Sequence, residues 1–240
     1  YHTIISGQSG KGKSNILNTI ILEIGKSKKP DELELYLIDY KGTEFSIYER
    51  HPNVKMIQVS NNFEETVFIL GNLKIEGEKR RSLLAGKAKD IDEYNSLPEI
   101  SKLPHIILII DEFQTIYDKS ERNDKKGLNS VFKEIARTYR AFGIYFIICS
   151  QKVDDAEIDD DLINQSQCRI LTAMTGRIGS KILSYNNNID LSSLELGTVL
   201  FNNKNGNKDG NILVKMKHIS TIREINLQLD EILKTNPRTI

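Results

Sequence analysis

Residues 7–14 read Gly-Gln-Ser-Gly-Lys-Gly-Lys-Ser, the pattern of a phosphate-binding loop, and the flanks suit it. An apolar run, Thr3-Ile4-Ile5, leads in, and an amphipathic run from about Asn15 to Ile24 leads out. The order is strand, glycine-rich turn, helix, which builds an anion site at the helix N-terminus. Gly7, Gly10 and Gly12 let the backbone turn its N–H groups inward, where side chains would obstruct them. Lys13 brings a point charge for the β- and γ-phosphates of a nucleoside triphosphate, and Ser14 brings a hydroxyl for Mg2+. The expected nucleotide contacts are Gly7, Gln8, Ser9, Gly10, Lys11, Gly12, Lys13, Ser14 and Asn15.

A second signature lies downstream. Ile106-Ile107-Leu108-Ile109-Ile110 runs into Asp111-Glu112. A strand that is apolar throughout is covered on both faces, as in the middle of a parallel sheet, and its carboxyl end opens where ligands bind. There Asp111 can hold magnesium through water and Glu112 can orient and deprotonate an attacking water. The next buried run ends Cys149-Ser150-Gln151, which makes Gln151 the candidate γ-phosphate sensor.

The rest of the chain alternates in the same way, which predicts an α/β fold with a mostly parallel sheet and helices on both faces. Strands are expected near 3–6, 34–38, 55–59, 106–110, 145–149, 169–172, 198–201 and 212–216. Helices are expected near 13–26, 63–85, 128–141, 177–185 and 221–235. The charge-dense stretch Glu76–Asp92 reads as a solvated helix face. Asp118–Lys126 and Asn202–Asn211 read as loops, the second closing a hairpin at Asp209-Gly210, and Asn186–Asn188 reads as a turn. The last helix carries an apolar stripe of Ile222, Ile225, Leu229, Ile232 and Leu233, expected to pack on the sheet.

In the 240 residues, 33 basic and 33 acidic side chains cancel, so no net field draws the chain to DNA or to an anionic surface. Cys149 and Cys168 suggest neither a disulfide framework nor a metal knuckle. No stretch is long and apolar enough to span a bilayer. The first residue is Tyr and a core strand follows at once, which suggests a single domain cut from a longer polypeptide.

Several further segments occur in a telling order: Leu37-Ile38-Asp39-Tyr40-Lys41-Gly42 with Glu44-Phe45-Ser46-Ile47-Tyr48; Glu78-Lys79-Arg80-Arg81 and Glu93-Tyr94-Asn95; Leu103-Pro104-His105; Asp111-Glu112-Phe113; and Ile135-Ala136-Arg137 through Arg140-Ala141-Phe142-Gly143-Ile144 to Ser150-Gln151. Together with the phosphate loop they resemble the FtsK/SpoIIIE family of ring-forming motors from Tyr1 to about Phe201. The resemblance implies a RecA-like core that uses ATP and Mg2+ and assembles as a hexamer. It also implies an arginine reaching the γ-phosphate from the neighbouring subunit, an effect worth ~10³–10⁵ in rate in related hydrolases. Arg140 matches the family arginine, with Arg137 second. Lys152-Val153 departs from the family's Arg-Pro, and Lys11 stands where a small residue is common.

Two cargoes fit the resemblance. Glu44–Tyr48 is similar to translocases of double-stranded DNA, whereas Asp39-Tyr40-Lys41-Gly42 is closer to type VII secretion motors of the EssC/EccC kind, whose partners are small secreted helical proteins. Either implies a cytoplasmic domain of a parent anchored to the inner face of a bacterial plasma membrane, although the isolated piece could be monomeric. The acidic run Asp154-Asp155 to Asp159-Asp160-Asp161 would repel DNA if it lined a pore, and otherwise reads as a loop or helix start.

Overall fold

The computed structural model describes residues 1–120, 122–151, 160–219 and 221–237. The chain alternates strand and helix: β1 (Thr3–Ser6), α1 (Lys13–Ser27), β2 (Leu33–Asp39), β3 (Val54–Gln58), α2 (Phe63–Leu84), α3 (Ile91–Ser96) and β4 (His105–Asp111). It continues with α4 (Gln114–Lys119), α5 (Arg122–Glu134), β5 (Ile144–Ser150), α6 (Asp160–Gln165), β6 (Cys168–Leu171), α7 (Gly176–Ile182), β7 (Thr198–Asn202), β8 (Asn211–Lys215) and α8 (Ile222–Thr235). Among the described residues, eight strands form one sheet in the order β3-β2-β4-β5-β1-β6-β7-β8. Pairing is parallel from β3 through β6, and β7 and β8 close the edge as an antiparallel hairpin.

Each expected strand is present within a residue or two. The period-2 alternation of a strand divides β4 cleanly. Ile106, Leu108 and Ile110 face a core shared with α2, α4, α5, α6 and α7, and Ile109 faces a second core built on α1 and α8. Helices therefore cover both faces, as the sequence predicts. Among the described residues, no helix is long and apolar enough to cross a membrane.

Some boundaries differ from expectation. The segment 118–126 is not a plain loop: α4 extends to Lys119 and α5 begins at Arg122, earlier than expected. Its composition is polar, but Ile116, Tyr117, Leu128 and Phe132 are buried, and Tyr117 Oη donates to Asn129 Oδ1 at 2.6 Å, tying the two helices. Packing thus overrides weak propensity. The same helix ends in a π-helical turn, Ile135–Tyr139. In the hairpin, the left-handed residues are Asn205 (φ 53°) and Gly206 (φ 78°), while Lys208–Gly210 forms a short 3₁₀ turn. The stripe of α8 packs chiefly on α1 rather than on the sheet, and Ile222 remains exposed. Of the acidic run, Asp154–Asp159 lies outside the described residues; Asp160 and Asp161 open α6, and Asp161 pairs with Lys133 at 3.2 Å and Arg137 at 2.9 Å.

The charge-dense stretch also hides a structural cation. Arg80 is 1% exposed; its guanidinium donates from Nε to Glu76 Oε1 at 2.8 Å and from Nη1 to the Phe142 carbonyl at 3.0 Å. One helical turn earlier, Gly77 leaves room for the Tyr139 ring, which would lie 2.6 Å from an added Cβ. This joins α2 to the π-helical turn. Arg80→Ala would strand the Phe142 carbonyl and open a cavity, so we expect a loss of about 2–4 kcal/mol in urea denaturation, whereas Arg81→Ala on the exposed face should cost under about 0.5 kcal/mol.

Candidate nucleotide site

The carboxyl ends of β1, β5, β4 and β2 meet in one crevice. Register places Ser6 beside Ser150 and Asp39 beside Asp111. Because β5 lies between β1 and β4, its terminal Ser150-Gln151 stands between the phosphate loop and the acidic pair. This is the topological switch point at which open α/β sheets bind ligands.

The loop leaving β1 needs its glycines for conformation. Gly10 (φ 72°) and Gly12 (φ 96°) are left-handed, and no atom lies within 4 Å of a Cβ built at either, so backbone angle rather than crowding demands glycine there. Gly7 is different: a Cβ would strike Thr172 Oγ1 at 1.7 Å. Helix α1 then starts at Lys13 with no side-chain cap and no acidic residue in its first turn. Its N–H groups and positive end are thereby left for an anion. Lys13 Nζ donates to the Gly7 carbonyl at 2.8 Å and the Gln8 carbonyl at 3.1 Å. Burial lowers the Lys13 pKa, opposed by the charges of Glu112 and Asp111. Gln8 anchors the loop by donating its N–H to the Ala173 carbonyl at 3.2 Å, and Ser9 and Lys11 are exposed, the latter pointing outward as its type requires. A groove of about 380 Å³ adjoins Gly10, Gly12 and Asn15, walled by Leu196, Val199, Met216 and His218. The Asn15 side chain faces the chain's own C-terminal connector: it donates to the Lys217 carbonyl at 3.0 Å and accepts from the Ile219 N–H at 2.7 Å.

Opposite the loop sits a concentration of acid. Ser14 Oγ donates to Glu44 Oε1 at 2.9 Å. Asp111 is buried, and burial together with the negative charges of Glu112, Glu44 and Asp39 pushes its pKa up to about 6. Glu112 holds a left-handed backbone (φ 52°) and is bound by three donors: Lys41 Nζ and Gln151 Nε2 on Oε1, and Gln114 Nε2 on Oε2. Burial alone would raise the Glu112 pKa, but these donors outweigh it and hold the carboxyl below its ordinary value. Gln114 is fixed in turn, accepting from Ser150 Oγ at 2.7 Å.

Lys41 and Glu44 ride on a loop organised by Asp39. Its fully buried carboxylate accepts backbone N–H bonds from Lys41 at 2.9 Å, Gly42 at 3.0 Å, Glu44 at 2.8 Å and Phe45 at 3.1 Å. Gly42 (φ 67°) passes so close to the Val59 carbonyl that a Cβ would sit 2.7 Å from it.

Lys13, Ser14, Asp111, Glu112 and Gln151 are thus brought together. Arg140 is not among them. It is exposed and lies just before β5, at the opposite end of that 7-residue strand from Gln151, roughly 20 Å along the sheet. Arg137 is exposed too, paired with Asp161. Asp39, Lys41, Glu44 and Gln114 are the site residues that sequence reasoning passed over. The available signal was an acidic residue ending a buried strand, shared by Asp39 and Asp111.

Residues 1–97 match the profile of the FtsK/SpoIIIE family. DNA translocase FtsK of Campylobacter jejuni is 32% identical over 187 residues, 76% of this chain and 19% of that protein. The chain carries an FtsK/SpoIIIE-family domain. FtsK of Helicobacter pylori strain J99 is 29% identical over 185 residues, 75% of this chain and 21% of its own length, so the domain spans about a fifth of the relatives it matches. The ATPγS-bound monomer of the pCW3 conjugation coupling protein TcpA superposes with a TM-score of 0.79 at 25% identity, over 98% of this chain and 64% of that one. EssC ATPases 2 and 3 from Geobacillus thermodenitrificans give a TM-score of 0.79 at 20% identity, over 98% and 44%, which establishes the shared fold. The domain is a P-loop ATPase fold of this family.

The raised Asp111 pKa has a measurable consequence. A carboxyl whose folded pKa lies above its unfolded value favours the native state at low pH and loses that contribution as pH rises through about 6. Asp111→Asn should therefore stabilise the ligand-free domain at pH 7.5 by up to about 3 kcal/mol, and the gain should shrink towards zero between pH 6 and pH 4. Urea midpoints at a series of pH values check this.

Proposed function

We propose that this domain hydrolyses ATP to translocate double-stranded DNA. The observation that carries the reading is the convergence of Lys13, Ser14, Asp111 and Glu112 at one strand-end crevice, in a chain whose sequence relatives are named DNA translocases. The loop N–H groups and Lys13 would hold the phosphates, and the apolar groove beside Gly10 and Gly12 suits a planar base. The donor set fits Mg2+: a hydroxyl at Ser14 and a carboxylate at Asp111, with Glu44 beside Ser14. Bound there, the ion would neutralise charge on the phosphates. Glu112 would take the proton from water and Gln151 would sense the terminal phosphate.

Arg140 and Arg137, both distant from this site, would serve a neighbouring copy in a homo-hexamer. The domain would work on the cytoplasmic side of a membrane-anchored parent. DNA would be gripped through its phosphates without reading sequence.

The test is ATP turnover with and without linear duplex DNA, with Lys13→Ala as the blank. Hydrolysis should rise with DNA, and Glu112→Gln should lower it ~10²–10⁴-fold while nucleotide still binds. In assembled protein, Arg140→Ala should abolish the DNA response. Turnover indifferent to DNA, in protein shown by sedimentation to be assembled, would reject DNA as cargo. Heat on titrating a secretion-signal peptide would then favour protein export.

A further inference from the structure

We propose that Lys41 discriminates triphosphate from diphosphate: its ammonium is shared between the Glu112 carboxylate and the terminal phosphate, so that Glu112 becomes free to act as a base only when that phosphate is bound. The inference rests on the nucleotide reading above and adds a residue and a regulatory step to it.

Three observations carry it. Both oxygens of Glu112 are engaged, Oε1 by Lys41 and Gln151 and Oε2 by Gln114, which fills three of the four acceptor positions. The ammonium beside it leaves the carboxylate too weak a base to take a proton from water. Of these donors Lys41 is the ammonium, and the one whose tether permits exchange. Its backbone is fixed by the Asp39 carboxylate at 2.9 Å, whereas its side chain is 51% exposed on a flexible four-carbon stem. Gln114, by contrast, is held by Ser150.

The third observation is that Lys41 stands close enough to Lys13 for the two positive charges to oppose one another. Lys13 is built to meet phosphate, so an anion between the two ammonium groups would relieve that opposition and offer Lys41 a partner in place of Glu112. A diphosphate lacks the group that would reach it. The left-handed backbone at Glu112 keeps the carboxylate directed towards these donors.

Calorimetric titration of the full chain with Mg2+·ATPγS and with Mg2+·ADP tests the proposal. Lys41→Gln should weaken ATPγS binding about ten-fold and leave ADP within about two-fold, and Lys41→Arg should restore most of the loss. Glu112→Gln removes the competing partner, so it should tighten ATPγS several-fold, and that gain should vanish in the Lys41→Gln/Glu112→Gln double variant. Equal effects of Lys41→Gln on both nucleotides, no effect on either, or additive behaviour in the double variant would each overturn the role of Lys41. If the wild-type chain binds neither nucleotide, the nucleotide reading itself fails and this inference falls with it. Binding that Lys13→Ala abolishes but Lys41→Gln leaves unchanged removes this inference alone.

Discussion

Four carboxylates and two ammonium groups share the carboxyl end of one sheet, and the surrounding structure is arranged to keep that charge in place. Asp39, Glu44, Asp111 and Glu112 face Lys13 and Lys41 across a crevice only partly open to water. Buried charge is tolerated only where it is paired or hydrogen-bonded. Asp39 solves its share with four backbone N–H bonds, Glu112 with three side-chain donors, and Glu44 with the Ser14 hydroxyl. Asp111 is the least well compensated, and its raised pKa records that deficit. The divalent cation proposed above at Ser14 and Asp111 would offset that deficit.

The scaffold for this cluster is held from outside. The loop after β2 is tied to α1 by Tyr48 Oη donating to Asn18 Oδ1 at 2.8 Å, and to α8 by Arg50, which pairs with Asp230 and reaches Asn226 Oδ1 at 2.7 Å. Buried His51 adds a contact to the Ile21 carbonyl at 3.1 Å. Helix α8 therefore braces both the phosphate-loop helix and the loop that presents Lys41. Asn15 joins the same brace through the connector at Lys217 and Ile219. Its side chain is engaged there, while its backbone lies in the first turn of α1.

The sequence made the sheet and both halves of the nucleotide site legible because those features are local. A buried parallel strand is a short apolar run, and a phosphate loop is a fixed spacing of Gly, Lys and Ser; both survive in any tertiary setting. What stayed hidden depends on long-range partners. Lys41 lies 71 residues from Glu112, and Glu44 lies 30 from Ser14. Their roles follow from the register of β2 beside β4, which no local pattern encodes. Arg80 was hidden for a related reason: its neighbours in sequence are solvated, and only the approach of the Phe142 carbonyl makes it a core residue. The helices α4 and α5 owe their boundaries to buried Ile116, Tyr117 and Phe132 rather than to propensity.

The position of Arg140 sets a limit on what one copy can do. Parallel strands put all their carboxyl ends on one side, so a residue preceding β5 is separated from the chain's own phosphate loop by the length of the strand. No rotamer of Arg140 crosses that distance, since an extended arginine reaches far less than a 7-residue strand. If this arginine acts on a γ-phosphate, it acts on that of another subunit, and the contact is head-to-tail, because a carboxyl-end site must meet an amino-end arginine. Such heterologous contacts close into rings when the rotation permits. Among the described residues of one subunit, Lys41 and Lys13 are the cations beside the acidic pair, and Arg140 of the same chain cannot join them.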